Sequence, residues 1–234
     1  MNRPITTVFM LQSIDGKISF NGSGKLDFDD KIPMLSWSAK GINRYYEAEI
    51  GMDETTLISG KTLKVLGWNE KVVRENKELT IVIIDNNHLT KEGLLRLHNS
   101  NKRVILVTKR PWYLENMDEL PYDVIYYCED KCSMVNILDV LYKKYNIKYV
   151  TVQGGGEINA SLFKERCVDY IDIIIAPFIV GGKNTPGCVG GESLPDDIDI
   201  REVVNEYSLI GVDSFGDSYV RVRYASRDRI KDCV

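Results

Sequence analysis

The most informative part of the sequence is Tyr149–Gly182, YVTVQGGGEINASLFKERCVDYIDIIIAPFIVGG. Its first apolar run, Tyr149–Val152, predicts a buried strand, and a later run, Ile171–Ala176, predicts a second one. The residues between these runs predict a helix from about Gly156 to Arg166. A strand, a helix and a second strand in this order are typical of a parallel sheet with a crossover helix.

Three consecutive glycines, Gly154, Gly155 and Gly156, join the first of these strands to the helix. Glycine lets the backbone approach a ligand closely and adopt positive φ angles without steric cost. The helix that follows offers free N–H groups and the positive end of its dipole, which suits a pyrophosphate. The alternative is a turn that only packs the strand against the helix, since the Gly-x-Gly-x-x-Gly dinucleotide fingerprint is absent. The residues by themselves leave both interpretations open.

Strand-like and helix-like segments alternate along most of the chain, and the last two strands flank a predicted hairpin turn at Phe215-Gly216-Asp217. We therefore predict a single α/β domain over residues 1–234, with a mixed, mostly parallel sheet flanked by helices and an antiparallel C-terminal edge. The other predicted strands are Ile5–Leu11, Thr55–Ser59, Leu79–Ile84, Arg103–Thr108, Val124–Tyr127, Tyr207–Val212 and Tyr219–Tyr224. The other predicted helices are Ser133–Tyr145, one within Ser36–Ile50, and a short one from Gly60 or Lys61 to about Leu66.

Composition excludes several classes of function. The net charge of -4 at pH 7, with acidic and basic residues interleaved, gives no electrostatic case for a nucleic-acid partner. No stretch approaches the roughly 20 apolar residues needed to span a bilayer, and the start lacks the apolar core of a signal peptide. The 5 cysteines are irregularly spaced and only 2 histidines occur, so we predict no metal site. These features predict a cytoplasmic protein with reduced thiols and no membrane partner.

Two further strand ends carry polar residues that suit phosphate groups. The Gly-Lys-Thr after the strand Thr55–Ser59 lacks the spacing of a Walker loop, so an ordinary helix start with a solvated lysine is the alternative. The Lys-Arg pair after the strand Arg103–Thr108 suits a 2′-phosphate, with simple solvation as its alternative. The candidate residues at these two ends are Ser59, Gly60, Lys61, Thr62, Thr108, Lys109 and Arg110.

The first strand ends in a loop that contains an ionisable pair, Asp15 and Lys17, around the flexible Gly16. Ligands of open α/β sheets bind in loops that leave the carboxyl ends of parallel strands. A simple Asp-Gly turn is the alternative interpretation of this loop.

Together these segments resemble one family. SIDGKIS after the first strand, LISGKT after the second, and VQGGGEINASLF followed by VDYIDIIIAPFIVGG occur in the order found in the reductase domain of the bifunctional riboflavin-biosynthesis enzyme. The resemblance implies the dihydrofolate-reductase-like fold, a homodimer, and NADPH-dependent reduction of 5-amino-6-(5-phosphoribosylamino)uracil or a related pyrimidine. The antiparallel C-terminal edge would be a suitable contact for the homodimer. The deaminase motifs His-x-Glu and Pro-Cys-x-x-Cys do not occur, so we expect a free-standing reductase domain.

The resemblance also implies roles for individual residues. Pro177, Gly181 and Gly182 would shape the loop opposite the substrate. We expect the proton that accompanies hydride transfer to come from a solvent molecule or a nearby carboxyl group, with Asp15 as the candidate. With the strand-end candidates included, the expected NADPH-binding residues are Gly16, Ile18, Ser59, Gly60, Lys61, Thr62, Thr108, Lys109, Gly154, Gly155, Gly156 and Glu157. The expected substrate-binding residues are Ser13, Lys17, Trp37, Arg44 and Glu157.

The chain departs from the family pattern where the substrate is bound. The family carries an arginine for the substrate phosphate about nine residues before the glycine that matches Gly60, whereas this chain has Gly51 there and its nearest arginine is Arg44. The Asp-Asp-Pro of the family is replaced by the apolar stretch Leu63–Trp68, and its Asp-Glu appears as Asp169-Tyr170. Two alternatives therefore stay open, a dihydrofolate or pterin reductase and a non-catalytic NADPH-binding protein.

Overall fold

The computed structural model describes residues 3–23, 25–26, 28–34, 39–52, 54–70, 76–127, 133–227 and 229. As far as these residues extend, the chain forms two compact units, Met1–Pro4 with Asp53–Gly154 and Ile5–Met52 with Gly155–Val234. The strands are β1 (Ile5–Ser13), β2 (Thr55–Ser59), β3 (Asn76–Ile84), β4 (Asn101–Thr108), β5 (Asp123–Tyr126), β6 (Tyr149–Val152), β7 (Tyr170–Ala176), β8 (Tyr207–Gly216) and β9 (Tyr219–Ser226). The α-helices are α1 (Phe28–Lys31), α2 (Ala39–Ile50), α3 (Gly60–Val65), α4 (Lys91–Ser100), α5 (Pro111–Glu115), α6 (Met134–Tyr145), α7 (Gly156–Lys164) and α8 (Ile200–Val203).

The first unit contains a parallel sheet in the order β5-β4-β3-β2-β6. Its central strands are apolar on both faces, as shown by the successive residues Val82 and Ile83, which both have 0% exposure. Ser59 pairs with Ile84, which in turn pairs with Val107, so the carboxyl ends of β2, β3 and β4 lie at one edge. The loops that follow these strands therefore begin close together.

Helices α3, α4 and α5 pack on one face of this sheet. Leu63 of α3, Leu94 of α4 and Tyr113 of α5 share a buried cluster with strand residues such as Ile83. The predicted helix α6 is confirmed, and the hydroxyl of Ser133 caps it by accepting the Asn136 N–H at 3.3 Å. Burying each large apolar side chain of this kind stabilises the fold by about 2 kcal/mol.

The second unit contains β1 and β7 as a parallel pair, with β9 antiparallel to β7 and β8 antiparallel to β9. Ser13 at the end of β1 pairs with Ala176 at the end of β7, so these two strands also end at one edge. The antiparallel pairing of β9 with both β7 and β8 confirms the predicted antiparallel C-terminal edge.

The hairpin turn between β8 and β9 lies later in the chain than the sequence predicts. Gly216 belongs to β8, and the two turn residues are Asp217 and Ser218. Both have positive φ, 45° and 65°, which is the pattern of a type I′ turn. The predicted turn at Phe215-Gly216-Asp217 therefore lies too early in the chain. The sequence places the turn at Gly216 because glycine adopts the left-handed conformation most easily, but Asp217 and Ser218 adopt it here.

The core of the second unit is aromatic. Phe9 of β1 stacks on Tyr45 of α2 with ring centroids 5.4 Å apart, and Tyr219 of β9 is fully buried in the same cluster. Helix α2 approaches Tyr219 through Gly41, where a Cβ atom would overlap the tyrosine ring. A glycine is required there because of this close approach.

Two buried carboxylates connect elements of the second unit. Asp169 accepts the main-chain N–H of Thr6 at 2.8 Å on one oxygen and Nε of Arg229 at 2.8 Å on the other. Asp172 pairs with Arg221 through Nε at 2.8 Å and Nη2 at 2.5 Å, and this pairing raises the pKa of the Arg221 guanidinium.

All nine predicted strands are confirmed, most of them with one to four residues added at an end. The predicted helices are also confirmed, whereas α4 was not predicted although Thr90 caps it by accepting the Gly93 N–H at 3.0 Å. The single-domain organisation stays a prediction.

Candidate functional site

The carboxyl edge of the first unit begins with Ser59, the last residue of β2 and the N-cap of α3. Its hydroxyl accepts the Thr62 N–H at 3.0 Å and lies 2.8 Å from the Thr62 hydroxyl. Lys61 between them is exposed. The structure therefore brings these three predicted residues together, and it gives Ser59 a helix-capping role whether or not a ligand binds there.

Asp85, at the end of β3, organises this edge, and the sequence interpretation missed it. Its side chain is only 1% exposed. One oxygen lies 2.9 Å from Nδ1 of His88, the other accepts Nη2 of Arg110 at 3.0 Å, and the carboxylate also accepts the N–H groups of His88 and Leu89 at 3.0 Å each. Gly60 packs directly against it, since a Cβ atom on Gly60 would overlap the carboxylate. The polar run that follows the buried strand, Asp-Asn-Asn-His, was the available signal.

Asn86 holds the next part of this edge. Its Oδ1 accepts the Lys109 main-chain N–H at 2.9 Å, and its amide nitrogen donates to the Tyr127 hydroxyl at 2.8 Å. Its carbonyl accepts Nε of Arg110, whose guanidinium is thereby bound to both Asn86 and Asp85. Thr108 is fully buried and its hydroxyl accepts the Arg110 N–H at 3.3 Å. These bonds fix the Arg110 side chain before any ligand binds, and Asp85 partly neutralises its charge. The alternative of a simply solvated Lys-Arg pair therefore does not describe Arg110.

The second unit places its candidate residues in the turn after β1. The Ser13 hydroxyl accepts the Lys17 N–H at 2.8 Å, and Gly16 has a positive φ of 75°. The Lys17 ammonium donates to the carbonyl of Thr185 at 3.1 Å, and the Ile18 N–H donates to the carbonyl of Pro186 at 3.0 Å. Ser13, Gly16, Lys17 and Ile18 therefore lie together, against the segment that follows β7.

Asp15 in this turn is a hydrogen-bond acceptor on both oxygens. It accepts from the Ser13 hydroxyl at 2.6 Å, the Val180 N–H at 3.1 Å and the Gly181 N–H at 2.7 Å. These bonds, that from Ser13 above all, lower the pKa of Asp15 to about 2, although its carboxylate is exposed. At neutral pH the carboxyl therefore carries no proton to donate, which argues against the proton-donor role expected from the sequence.

The three glycines fall at the boundary between the units in the chain. Gly154 belongs to the first unit and is buried, whereas Gly155 and Gly156 belong to the second unit and are partly exposed. Gly155 caps α7 with a φ of 78°. A Cβ atom on Gly156 would lie 2.7 Å from the Gly187 carbonyl oxygen and 3.0 Å from the Gly190 nitrogen, and the Gly190 N–H donates to the Gly156 carbonyl at 3.0 Å. Gly156 is thus required for packing within its own unit, which supports the packing interpretation at this residue.

Glu157 and Arg44, two of the expected ligand-binding residues, each lie beside another segment of the second unit. Oε1 of Glu157, in the first turn of α7, accepts the Gly191 N–H at 3.3 Å, so its carboxylate holds a neighbouring loop. Arg44 is exposed on α2, with its guanidinium carbon 3.4 Å from the position that a Cβ atom on Gly216 would take. Arg44 therefore lies beside the β8–β9 hairpin rather than in the turn after β1. Trp37, the remaining predicted substrate residue, lies outside the described residues.

Two negative findings concern the described residues only. They contain no group of three or more His, Cys, Asp and Glu side chains that could hold a metal ion. None of their helices is long and apolar enough to cross a membrane.

The geometry defines an α/β protein with polar loops at the carboxyl ends of parallel strands, and comparison with known proteins assigns it to a family. The model of the RibD C-terminal domain family matches residues 4–209. The chain belongs to the RibD C-terminal domain family.

Two relatives are named for the same activity. The 2,5-diamino-6-ribosylamino-4(3H)-pyrimidinone 5′-phosphate reductase of Aquifex aeolicus is 40% identical over 79 residues, which cover 34% of this chain and 35% of that protein. The enzyme of the same name from Archaeoglobus fulgidus is 28% identical over 100 residues, which cover 42% of this chain and 45% of that protein. The chain thus matches less than half of the length of each of these relatives.

The solved structure of RibD from Acinetobacter baumannii is similar to this chain, with a TM-score of 0.66 and 14% sequence identity. The aligned region covers 97% of this chain and 59% of that protein. At this identity the likeness shows the fold, and it confirms the predicted fold class.

We predict that Gly156→Ala lowers the free energy of unfolding by about 1–3 kcal/mol, because the new methyl group must displace the main chain of Gly187 and Gly190. An alanine in a helix is otherwise favoured over glycine. Urea denaturation of the protein without ligand measures the change. Gly187→Ala is the matched control, since its Cβ atom would have no neighbour nearer than 3.5 Å. Equal midpoints for all three proteins would contradict the packing role of Gly156.

Proposed function

We propose that this chain is an NADPH-dependent reductase of a ribosylaminopyrimidine 5′-phosphate in riboflavin biosynthesis. The observation that carries the proposal is the family match over residues 4–209. The names of the Aquifex and Archaeoglobus relatives support the same reaction. We propose the diaminopyrimidinone named for those relatives and 5-amino-6-(5-phosphoribosylamino)uracil as the two substrates to compare, since they differ in one substituent of the pyrimidine ring.

The residues of the first unit suit a nucleotide with phosphate groups. Its carboxyl edge presents an exposed ammonium at Lys61, a guanidinium at Arg110 held by Asp85, and an imidazole at His88 that is 35% exposed. Cations at the carboxyl ends of parallel strands are the chemistry that binds anionic ligands in α/β folds. We propose that this edge, with Ser59 and Thr62, holds the adenosine half of the cofactor.

The residues of the second unit suit the reacting half. When bound, NADPH would supply a hydride for the carbon of a C=N or C=O group of the substrate, and a proton would be added to the nitrogen or oxygen. The chain has to orient the reacting groups and exclude water, without a protein nucleophile. We propose that Ser13, Gly16 and Lys17 line this half. The Lys17 ammonium uses one donor on Thr185 and keeps others for an anionic substrate group.

We further propose that the chain acts as a cytoplasmic homodimer. In the second unit β8 is the last strand of the order, and its Leu209, Ile210 and Val212 are 56%, 53% and 57% exposed. An exposed apolar edge strand is a surface that natural proteins usually cover. Sedimentation velocity of the pure protein gives the mass that decides between monomer and dimer.

The proposal predicts stoichiometric oxidation of NADPH when the pure protein is mixed with either pyrimidine phosphate. Loss of the nicotinamide absorbance and chromatography of the product measure the reaction. Dihydrofolate is the control substrate and should not be reduced. Binding of NADPH without turnover of either pyrimidine would contradict the proposal and favour a non-catalytic nucleotide-binding protein, whereas turnover of dihydrofolate would favour a pterin reductase.

Lys61→Ala should weaken NADPH binding about tenfold and leave NADH binding within about twofold, since one charge-assisted hydrogen bond to the extra phosphate is lost. Isothermal titration with both cofactors measures the two affinities. Lys64→Ala, on the exposed side of the same short helix, is the matched control. Parallel loss of NADPH and NADH affinity would assign Lys61 to the shared pyrophosphate and contradict a contact with the 2′-phosphate. No loss of either would remove Lys61 from the phosphate-binding residues.

A further inference from the structure

The turn of residues 13–18 and the segment of residues 178–188 leave the carboxyl ends of two neighbouring parallel strands, β1 and β7. Main-chain hydrogen bonds join them at both ends. The Ile14 N–H donates to the Phe178 carbonyl at 2.8 Å, and the Cys188 N–H donates to the Gly16 carbonyl at 3.0 Å. The two loops therefore form one continuous surface at the edge where α/β folds bind their ligands.

Asp15 connects these loops through its side chain, in addition to the bond from Lys17 to Thr185. Its Oδ1 accepts the Val180 N–H at 3.1 Å and its Oδ2 accepts the Gly181 N–H at 2.7 Å, while the Ser13 hydroxyl fixes the carboxylate from its own turn. The two amides bind different oxygens, so both must be acceptors. An ionised carboxylate meets this requirement and a carboxamide does not.

Apolar contacts hold the start of this segment, since Phe178 and Val180 pack against the aromatic cluster of the second unit. Ile179 is 77% exposed, Gly181 has a φ of 72° with nothing within 4 Å of a Cβ position, and Gly182 has a φ of 82°. Further along, the Lys17 ammonium donates to the Thr185 carbonyl at 3.1 Å, and the amide of Asn159 donates to the Cys188 carbonyl at 2.8 Å. Gly181 lies between these anchored parts and its main-chain N–H donates to the Asp15 carboxylate, so the carboxylate has a large share in the conformation at Gly181.

We propose that Asp15 is a positioning residue, which fixes the main chain at Val180–Gly181 and so shapes the wall of the substrate site, and that it transfers no proton. The effect on substrate rests on the proposed function. Asp15 acts through the segment that follows β7. The role differs from that of a general acid, because a general acid must carry a proton and must reach the reacting atom.

Two variants test the role, Asp15→Asn and Asp15→Ala. Asparagine keeps the size and one acceptor, so we expect one of the two amides, of Val180 or Gly181, to exchange with deuterium about tenfold faster. Alanine removes both acceptors, so both amides should exchange about tenfold faster or more. Exchange followed by NMR reports these two amides directly and needs no cofactor or substrate.

The kinetic readout separates positioning from proton transfer. We expect KM for the pyrimidine phosphate to rise about tenfold in Asp15→Asn, and the pH dependence of kcat to keep its shape. Loss of a general acid would instead lower kcat by about a hundredfold or more and remove a limb of the pH profile. Asp199→Asn is the matched control. Asp199 lies in the same unit, and its pKa is also lowered, in its case by Arg201. This variant should change neither the exchange at Gly181 nor KM.

Unchanged exchange at both amides in Asp15→Ala would overturn the proposal, as would a fall in kcat with a lost pH limb and an unchanged KM. Faster exchange with a raised KM supports it. If the wild-type protein turns over neither pyrimidine, the proposed function fails, and the exchange measurement still decides whether Asp15 holds the segment.

Discussion

Parallel pairing is the constraint on which the rest of each unit depends. Parallel strands that pair in register end at one edge, and each must be followed by a connection that returns along the sheet. In the first unit this brings the residues after Ser59, Ile84 and Val107 to a single edge, and in the second it does the same for those after Ser13 and Ala176. Polar residues distant in sequence thus become neighbours without any direct attraction between them.

Carboxylate side chains connect the loops at each of these edges. Asp85 connects the turn after β3 to Arg110 after β4, and Gly60 has no side chain because the carboxylate occupies that space. A buried carboxylate is costly to desolvate, and the cost is offset only when its oxygens are fully hydrogen-bonded, as they are here. Asp15 also joins two loops, through the main-chain amides of Val180 and Gly181. Its carboxylate is exposed, so the cost of desolvation is small.

The strands could be predicted because runs of Val and Ile that are buried on both faces stand out in the sequence, and β3 and β4 are clear cases. The strand-end candidates followed from the same pattern and from the family resemblance. The hydrogen bonds of Asp15 could not be predicted, because its partners Val180 and Gly181 lie 165 and 166 residues away along the chain. Gly156 was ambiguous for a related reason, since the Gly187 and Gly190 main chain that it contacts becomes its neighbour only in the folded protein.

Hydrogen exchange of the wild-type protein with and without NADPH tests whether the loops at the carboxyl edge of the first unit hold the cofactor. We expect slower exchange for amides of residues 59–62 and 108–110 when NADPH is bound. Faster or unchanged exchange in both segments, at a concentration where equilibrium dialysis shows NADPH to be bound, would show that these loops do not hold it.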